Sequence, residues 1–514
     1  MKTIQKIAVV FSLSLVILAG CTKDFEEINT NPNAPIDVPT YAFMTNAQKQ
    51  LCDNIFDAWW GGRQSMLWAQ YWSQNNYTDE DRYNIRQNVN NGYWRTIYTI
   101  LSDLNEIIEL NENPVKASLM SAYGANVNQI ASARILRAWA FQHLTDLYGD
   151  IPYFDALKGK SDRLFLPKYD KQQDIYPAII QELTEAAAQI EIDESKPGWT
   201  QGDIIYNGDM SKWKKFANSL KLRMALRMKK ADPTKAQQYI DEALAGGVFE
   251  SNADNAAFKY LTSPPNTAPM WNAYYVDNRT DFAVTAQFVD LLKGIPVGGA
   301  AKPNPFAGIE DPRLPIFANP VKDTTILGKG IHGMPYGMPD DITKQIGAQG
   351  SSWPGDAILA PDFATVLMDY AEVEFILSEI NNWDQTHYIN GVRASCEYWG
   401  LDATTIDAFI AALPSANQET VLTQKYIALY PQGYEAWSEY RRTGFPKTLV
   451  HPGEVTWIDL SGNPVTFEAL GSDDIPRRLT YPQEEQTVNG TNYNAAKAQM
   501  GDDTFETRMW WDIP

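Results

Sequence analysis

Paired carboxylates, histidine clusters and glycine-rich loops are the patterns through which a sequence reveals an enzyme, and each has a near-match here. Glu372 and Glu379 lie seven residues apart on one helical run. They share a face and stand roughly 10 Å apart by the helical rise, beyond the separations at which two carboxylates work across a glycosidic bond. Acidic residues at that spacing read as a solvated or salt-bridged face. His143, His332, His387 and His451 are scattered without metal-ligand spacing, and His143 sits on the apolar stripe of its helix as a hydrogen-bonded core residue. No His-Glu-x-x-His helix and no Gly-x-Ser-x-Gly elbow occurs. Gly328-x-Gly330-x-x-Gly333 has the letters of a dinucleotide fingerprint, but Met334-Pro335-Tyr336-Gly337 follows where a helix must begin to hold a pyrophosphate. Asp311-Pro312-Arg313 reads as a turn in which the arginine pairs locally. Nothing here requires catalysis, a cofactor or a metal.

The aromatic clusters carry more information. Trp59-Trp60-Gly61-Gly62 leads into Trp68, Tyr71 and Trp72, then Ser73-Gln74-Asn75-Asn76-Tyr77 and Tyr83. Trp68, Tyr71 and Trp72 have the spacing of a helix core, whereas the amides interleaved with Tyr77 and Tyr83 form a rim. A second group, Asn266, Trp271, Asn272, Tyr274, Tyr275, Asp277, Asn278 and Arg279, has the same mixture, and Trp353 stands alone. A sugar ring presents C–H groups to an aromatic face and hydroxyls to Asn, Gln, Asp or Arg at the edge. Each aromatic alone is equally suited to core packing.

Helices must position these groups. Trp94, Ile97, Tyr98, Leu101, Leu104 and Ile108 recur at three- and four-residue steps, as do Leu136, Trp139, Ala140, His143, Leu144 and Leu147. The second run stops at Gly149 with Pro152 beyond it. Further amphipathic runs cover 172–191, 211–230, 234–245, 281–293, 362–381, 385–399, 403–412, 418–430 and 433–442. The chain is mostly α. Residues 248–360 break the pattern with Pro, Gly, Asn and aromatic residues, as an ordered, loop-rich binding insert does. Residues 447–514 are loop-like, with a hairpin at Val455–Phe467.

At 514 residues, 44% hydrophobic, the chain buries a substantial core. Its formal charge of −20 opposes phosphate backbones, which excludes non-specific nucleic-acid binding. Lys2 and Lys6 precede an apolar stretch, Ile7 to Leu18, that is too short to span a bilayer. Leu18-Ala19-Gly20-Cys21 resembles a bacterial lipobox, in which Cys21 is acylated and becomes the mature N-terminus, anchoring the protein to a membrane. Cys52 and Cys396 remain, and whether they pair is left open. Asn29 to Pro39 is an irregular lead-in.

Several segments together resemble the SusD/RagB family of Bacteroidetes outer-membrane lipoproteins. They are Phe25 to Asn33 (FEEINTNPN), Trp94-Arg95-Thr96-Ile97-Tyr98, Arg137-Ala138-Trp139 through Tyr148-Gly149-Asp150-Ile151-Pro152-Tyr153, and Asp311-Pro312-Arg313-Leu314. Tyr370 to Phe375, Tyr430 to Trp437, Arg441 to Pro446 and Arg477 to Pro482 complete the series. The acidic stretch Thr22 to Glu27 is similar to the signal that sends such lipoproteins to the cell surface. The resemblance implies a mostly α, SusD-like fold in which four tetratricopeptide-like helix pairs support a loop-rich ligand-binding half. It divides the chain into a leader (1–20), an acylated tether (21–39) and one SusD-like domain (40–514). It implies no catalysis, and oligosaccharide capture as a lid over a SusC-like TonB-dependent transporter, with peptide capture as the alternative. A glycosidase and a purely structural surface protein are the readings from other classes. By position in the family, the sugar site falls on Trp72, Asn75, Asn76 and Tyr77, and on Trp271, Tyr274, Tyr275 and Arg279. Trp and Tyr would stack on rings while Asn and Arg hydrogen-bond hydroxyls.

Overall fold

Most of the helical periodicity is realised in a computed structural model, which describes residues 38–514. The leader, Cys21 and most of the tether lie outside the described residues. Eleven helices carry the argument: α1 (Thr40–Ile55), α2 (Gln87–Glu112), α3 (Asn126–Tyr148), α4 (Gln172–Gln189), α5 (Met210–Arg227), α6 (Pro233–Gly246), α7 (Tyr370–Ile380), α8 (Gln385–Tyr398), α9 (Ala403–Ala412), α10 (Gln418–Ala428) and α11 (Gly433–Thr443). Part of the acidic composition is spent on helix starts. Asp209, Asp232, Asp369, Asp384 and Asp402 each accept backbone N–H groups of the first turn of α5 to α9, and Asn417 does so for α10. Gly444 ends α11 in the left-handed conformation at φ 73°.

Successive helices pack as pairs, α1 on α2, α3 on α4, α5 on α6 and α7 on α8, and the pairs stack through α2–α3, α4–α5 and α5–α7. Of the stripe predicted on α2, Trp94, Ile97, Leu101, Leu104 and Ile108 are buried and Tyr98 is half-buried, while Tyr93, outside the prediction, is buried beside them. His143 is buried on α3, hydrogen-bonded to the Tyr93 hydroxyl at 2.5 Å and stacked on Trp139; burial and then the charge of Arg223 lower its pKa to about 3. Cys52 and Cys396 are buried and unpaired.

Among the described residues six short strands form three antiparallel pairs: β1 (Trp72–Gln74) with β3 (Phe282–Val284), β2 (Ala256–Lys259) with β4 (Ala364–Met368), and β5 (Val455–Ile458) with β6 (Pro464–Thr466). The last pair is the predicted hairpin. The first two correct the expected helices at 281–293 and 362–381, which begin as strands and turn helical only at Ala286 and Tyr370. A three- to five-residue apolar run is compatible with either period, and the partner strands that decide it are some 100 to 200 residues distant. The C-terminal region also holds two helices, Gln483–Val488 and Gly490–Met500, that its loop-like composition does not announce.

Candidate ligand-binding site

Beyond α1 the chain reads Asp57-Ala58-Trp59-Trp60-Gly61-Gly62-Arg63. The Asp57 carboxylate accepts the N–H groups of Trp60 (2.7 Å) and Gly61 (2.9 Å), folding the segment into a tight turn. Only glycine fits there: a Cβ would stand 2.3 Å from the Ile55 carbonyl at Gly61 and 2.7 Å from the Asp57 carbonyl at Gly62. The turn presents Trp59 and Trp60 to the surface, and the Trp60 indole N–H is tied to the Val89 carbonyl of α2 at 2.9 Å.

Beneath Trp59 lies Arg63, fully buried, with its guanidinium 5.1 Å from the ring centre. It reaches Glu80 at 3.1 Å and Asp281 at 3.6 Å. Glu80 also holds Arg86 (2.9 Å) and the Gln74 amide (2.8 Å), and Arg86 lies 6.0 Å from the ring of Tyr77. Asp281 faces Arg279 at 4.0 Å. The β1–β3 pairing continues through Asn75 N–H to the Asp281 carbonyl at 2.7 Å. One buried cation and one short ladder thus tie the Trp59 turn to the Glu80 loop and to the segment that carries Arg279.

The result is a groove of about 570 Å³, within the range of ligand sites. Lys49, Asp53 and Trp59 line one side, Thr96 the side of α2, and Asn272, Asp277 and Arg279 the side of the insert. The insert wall is a π-helical turn, Asn272–Val276, whose Asn272 side chain is held by the Thr267 hydroxyl at 2.8 Å. Such turns recur at functional sites. Trp271 and Tyr275 sit beside each other with ring centres 6.2 Å apart.

Of the eight site residues expected from sequence, Tyr77 (55% exposed), Tyr275 (51%) and Arg279 are at the surface, and Asn76 and Trp271 are half-buried. Three are core residues instead. Trp72 has no exposed surface; it packs on Phe56 and Phe282 and donates to the Tyr430 hydroxyl at 3.0 Å. The Asn75 amide donates to the Thr280 carbonyl and accepts from Ser351, both at 3.1 Å. The Tyr274 hydroxyl donates to the Phe282 carbonyl at 2.7 Å and its ring meets Trp353 edge-on. All three neighbour the strand pair, whose non-local partner no local pattern encodes. Trp353 is itself covered, with the Lys322 ammonium 3.3 Å above its ring. Of the eight, Arg279 lines the groove; conversely, Asp57 and Trp59 line it and Arg63 lies beneath Trp59, although the expected set omits these three. The doubled Trp and doubled Gly were the available signal.

The same arrangement of helices recurs in known proteins. Residues 32–482 match the family model SusD-like_2, described as starch-binding associating with outer membrane. The chain belongs to the SusD-like family. A curated SusD-like protein P2 of Formosa agariphila is 26% identical over 200 residues, a match that spans 35% of this chain and 37% of that protein. A chitin-binding protein of known structure is 25% identical, with a TM-score of 0.74 over 92% of this chain and 100% of its own. A chitin-binding SusD homolog from Flavobacterium johnsoniae (23% identical, TM-score 0.69, 92% and 98% covered) and a SusD homolog from Bacteroides thetaiotaomicron (24%, 0.71, 93% and 99%) share the fold. Membership supports a nutrient-binding role in association with the outer membrane, and family members are binding proteins. Among the described residues no helix is long and apolar enough to cross a membrane, and no three His, Cys, Asp or Glu groups are placed to hold a metal ion.

Two carboxyls behind this SusD-like site resist ionisation. Burial pushes Asp57 up to about 7 despite the N–H groups it accepts. Burial does the same to Asp81, again to about 7, with Ser73 and Gln74 donating to one oxygen while the other has no partner. Because the folded state holds the Asp81 proton to higher pH than the unfolded chain, this group lowers stability progressively as pH rises from about 4 to about 7. Asp81→Asn is therefore expected to raise the melting temperature relative to wild type above pH 7, by the equivalent of roughly 2–4 kcal/mol at most. The advantage should vanish below about pH 4. Thermal melts across that range check it, and a constant offset at every pH would refute the assignment.

Proposed function

We propose that this SusD-like protein captures oligosaccharides at the cell surface and passes them to a SusC-like TonB-dependent outer-membrane transporter. In this reading residues 40–514 act as one binding domain, released from a leader (1–20) and held by acylated Cys21 on a short tether. The observation that carries the reading is the groove itself. The indoles of Trp59 and Trp60 line it beside amide, carboxylate and guanidinium groups from Asn272, Asp277 and Arg279. Sugar rings are bound by this combination of apolar faces and hydroxyl partners. The family description names starch, and two of the relatives of known structure are described as chitin-binding.

Peptide capture is the second reading, favoured by one feature: the formal charge of −20, with Asp53 and Asp277 at the groove, suits a cationic chain.

Calorimetry with malto-oligosaccharides, chito-oligosaccharides and lysine-rich peptides separates the two. Heat from one saccharide series supports glycan capture; peptide heat with silence from both saccharides replaces it. For the saccharide that binds, Trp59→Ala should weaken affinity by about tenfold or more, the worth of one stacked ring, while the half-exposed position leaves folding intact. Unchanged affinity would remove Trp59 from the site.

A further inference from the structure

A second concave region adjoins the groove and nothing above uses it. The turn at 259–266 encloses a depression of about 640 Å³, lined by Lys259, Tyr260, Leu261, Ser263, Asn266 and Asp362. Pro265 borders both this depression and the groove. The partition between them is one residue thick: the Tyr260 hydroxyl donates to Asp53 of the groove at 2.8 Å, and Lys49 of the groove lies 6.0 Å from the Tyr260 ring.

The turn is held at both ends. Tyr260 N–H donates to the Phe363 carbonyl at 3.1 Å, Ala268 N–H to the Pro361 carbonyl at 2.8 Å, and Leu261 N–H closes it onto the Asn266 carbonyl at 2.8 Å. Two consecutive prolines, Pro264 and Pro265, restrict the backbone between. A fixed wall loses little freedom when something binds to it. Its surface chemistry points to a ligand. Leu261 is 59% exposed, an apolar face at the depression. Around it, the side chains of Thr262, Ser263 and Asn266 make no hydrogen bond among the described residues, and Lys259 and Asp362 pair at 3.4 Å. Free hydroxyl and amide groups around an aliphatic contact are suited to a further sugar unit.

We infer that the 259–266 turn is a second saccharide subsite continuous with the groove, so that the ligand is a chain of several sugar units that crosses Pro265. This rests on the glycan reading above and extends it to chain length. The subsite engages only ligands long enough to reach it.

The test uses the purified full chain and the malto- and chito-oligosaccharide series from dimer to hexamer, read by calorimetry. In the series that binds, hexamer should bind at least tenfold more tightly than dimer. Ser263 is exposed, so Ser263→Trp fills the depression without entering the core; matched melting temperatures confirm this. The variant should bring hexamer affinity down to the dimer value and leave dimer affinity unchanged. Length-independent affinity in the wild type, or a hexamer indifferent to Ser263→Trp, overturns the subsite while the glycan reading stands. Silence from every saccharide of any length sinks both.

Discussion

Arg63→Ala is expected to lower stability by roughly 3–5 kcal/mol and to abolish ligand binding in whatever protein remains folded. Glu80 is fully buried and Asp281 partly buried, and both face the Arg63 guanidinium. Removing the cation strands those charges in a poorly solvated interior, where the remaining contact of Glu80 with half-exposed Arg86 compensates only in part. The loss of binding has a separate cause. Arg63 underlies Trp59 and, through Asp281, braces the segment that leads to Arg279, so its absence unfixes two walls of the groove. A paired variant distinguishes the two effects. Arg63→Met with Glu80→Gln removes both charges of the buried pair and should recover much of the stability, since replacing a whole buried pair costs far less than breaking it. Binding should stay weak. Urea unfolding and calorimetry on the three proteins measure this; full binding by the paired variant would show that Arg63 is only a structural ion.

The second large effect lies away from the site. Arg227 on α5 is wholly buried among Asp146 of α3 and Glu435 and Glu439 of α11, with Glu439 at 3.5 Å. The chain of ions continues through Glu439 to Lys425 of α10 (2.7 Å) and Arg442 (2.8 Å), and from Arg442 to Glu379 of α7 (2.6 Å). Arg223, one turn earlier on α5, joins Glu372 of α7 at 2.7 Å. Arg227→Ala leaves two carboxylates without their closest cation and should cost about 3–5 kcal/mol, seen as a fall in the urea midpoint. A loss under about 1 kcal/mol would mean that water enters and solvates the carboxylates. Since the ions join helices of different pairs, the variant should also loosen α11 against α5, measurable as faster amide exchange in α11.

These ions show how differently the two kinds of information were distributed. Glu372 and Glu379 were recognisable from spacing as a salt-bridged helical face rather than a catalytic pair, and each is indeed bound by an arginine. That the arginines come from α5 and α11, and that the face is buried, required the packed helices. Arg313 likewise pairs with Asp311 two residues away at 2.6 Å, as the turn suggested, yet its remaining donors go to Ser395 and Gln424. Local partners are legible because the chain geometry keeps them close; distant ones are not.

The site divides along the same line. Tyr77, Tyr275 and Arg279 lie at the surface, as rings and charges interleaved with amides suggested, and Arg279 lines the groove. Trp72, Asn75 and Tyr274 have the same composition and the opposite fate, because the β1–β3 ladder and the Tyr430 and Ser351 side chains draw them inward. By itself the sequence determined most of the helices, the stop at Gly149, the hairpin at 455–466 and the loop-rich insert, since periodicity and turn chemistry act over fewer than a dozen residues. The tertiary structure alone decided which aromatics face solvent, that Arg63 joins three segments, and that the groove exists. Burial and concavity depend on what the rest of the chain places opposite each residue, and the partner of residue 74 is residue 282.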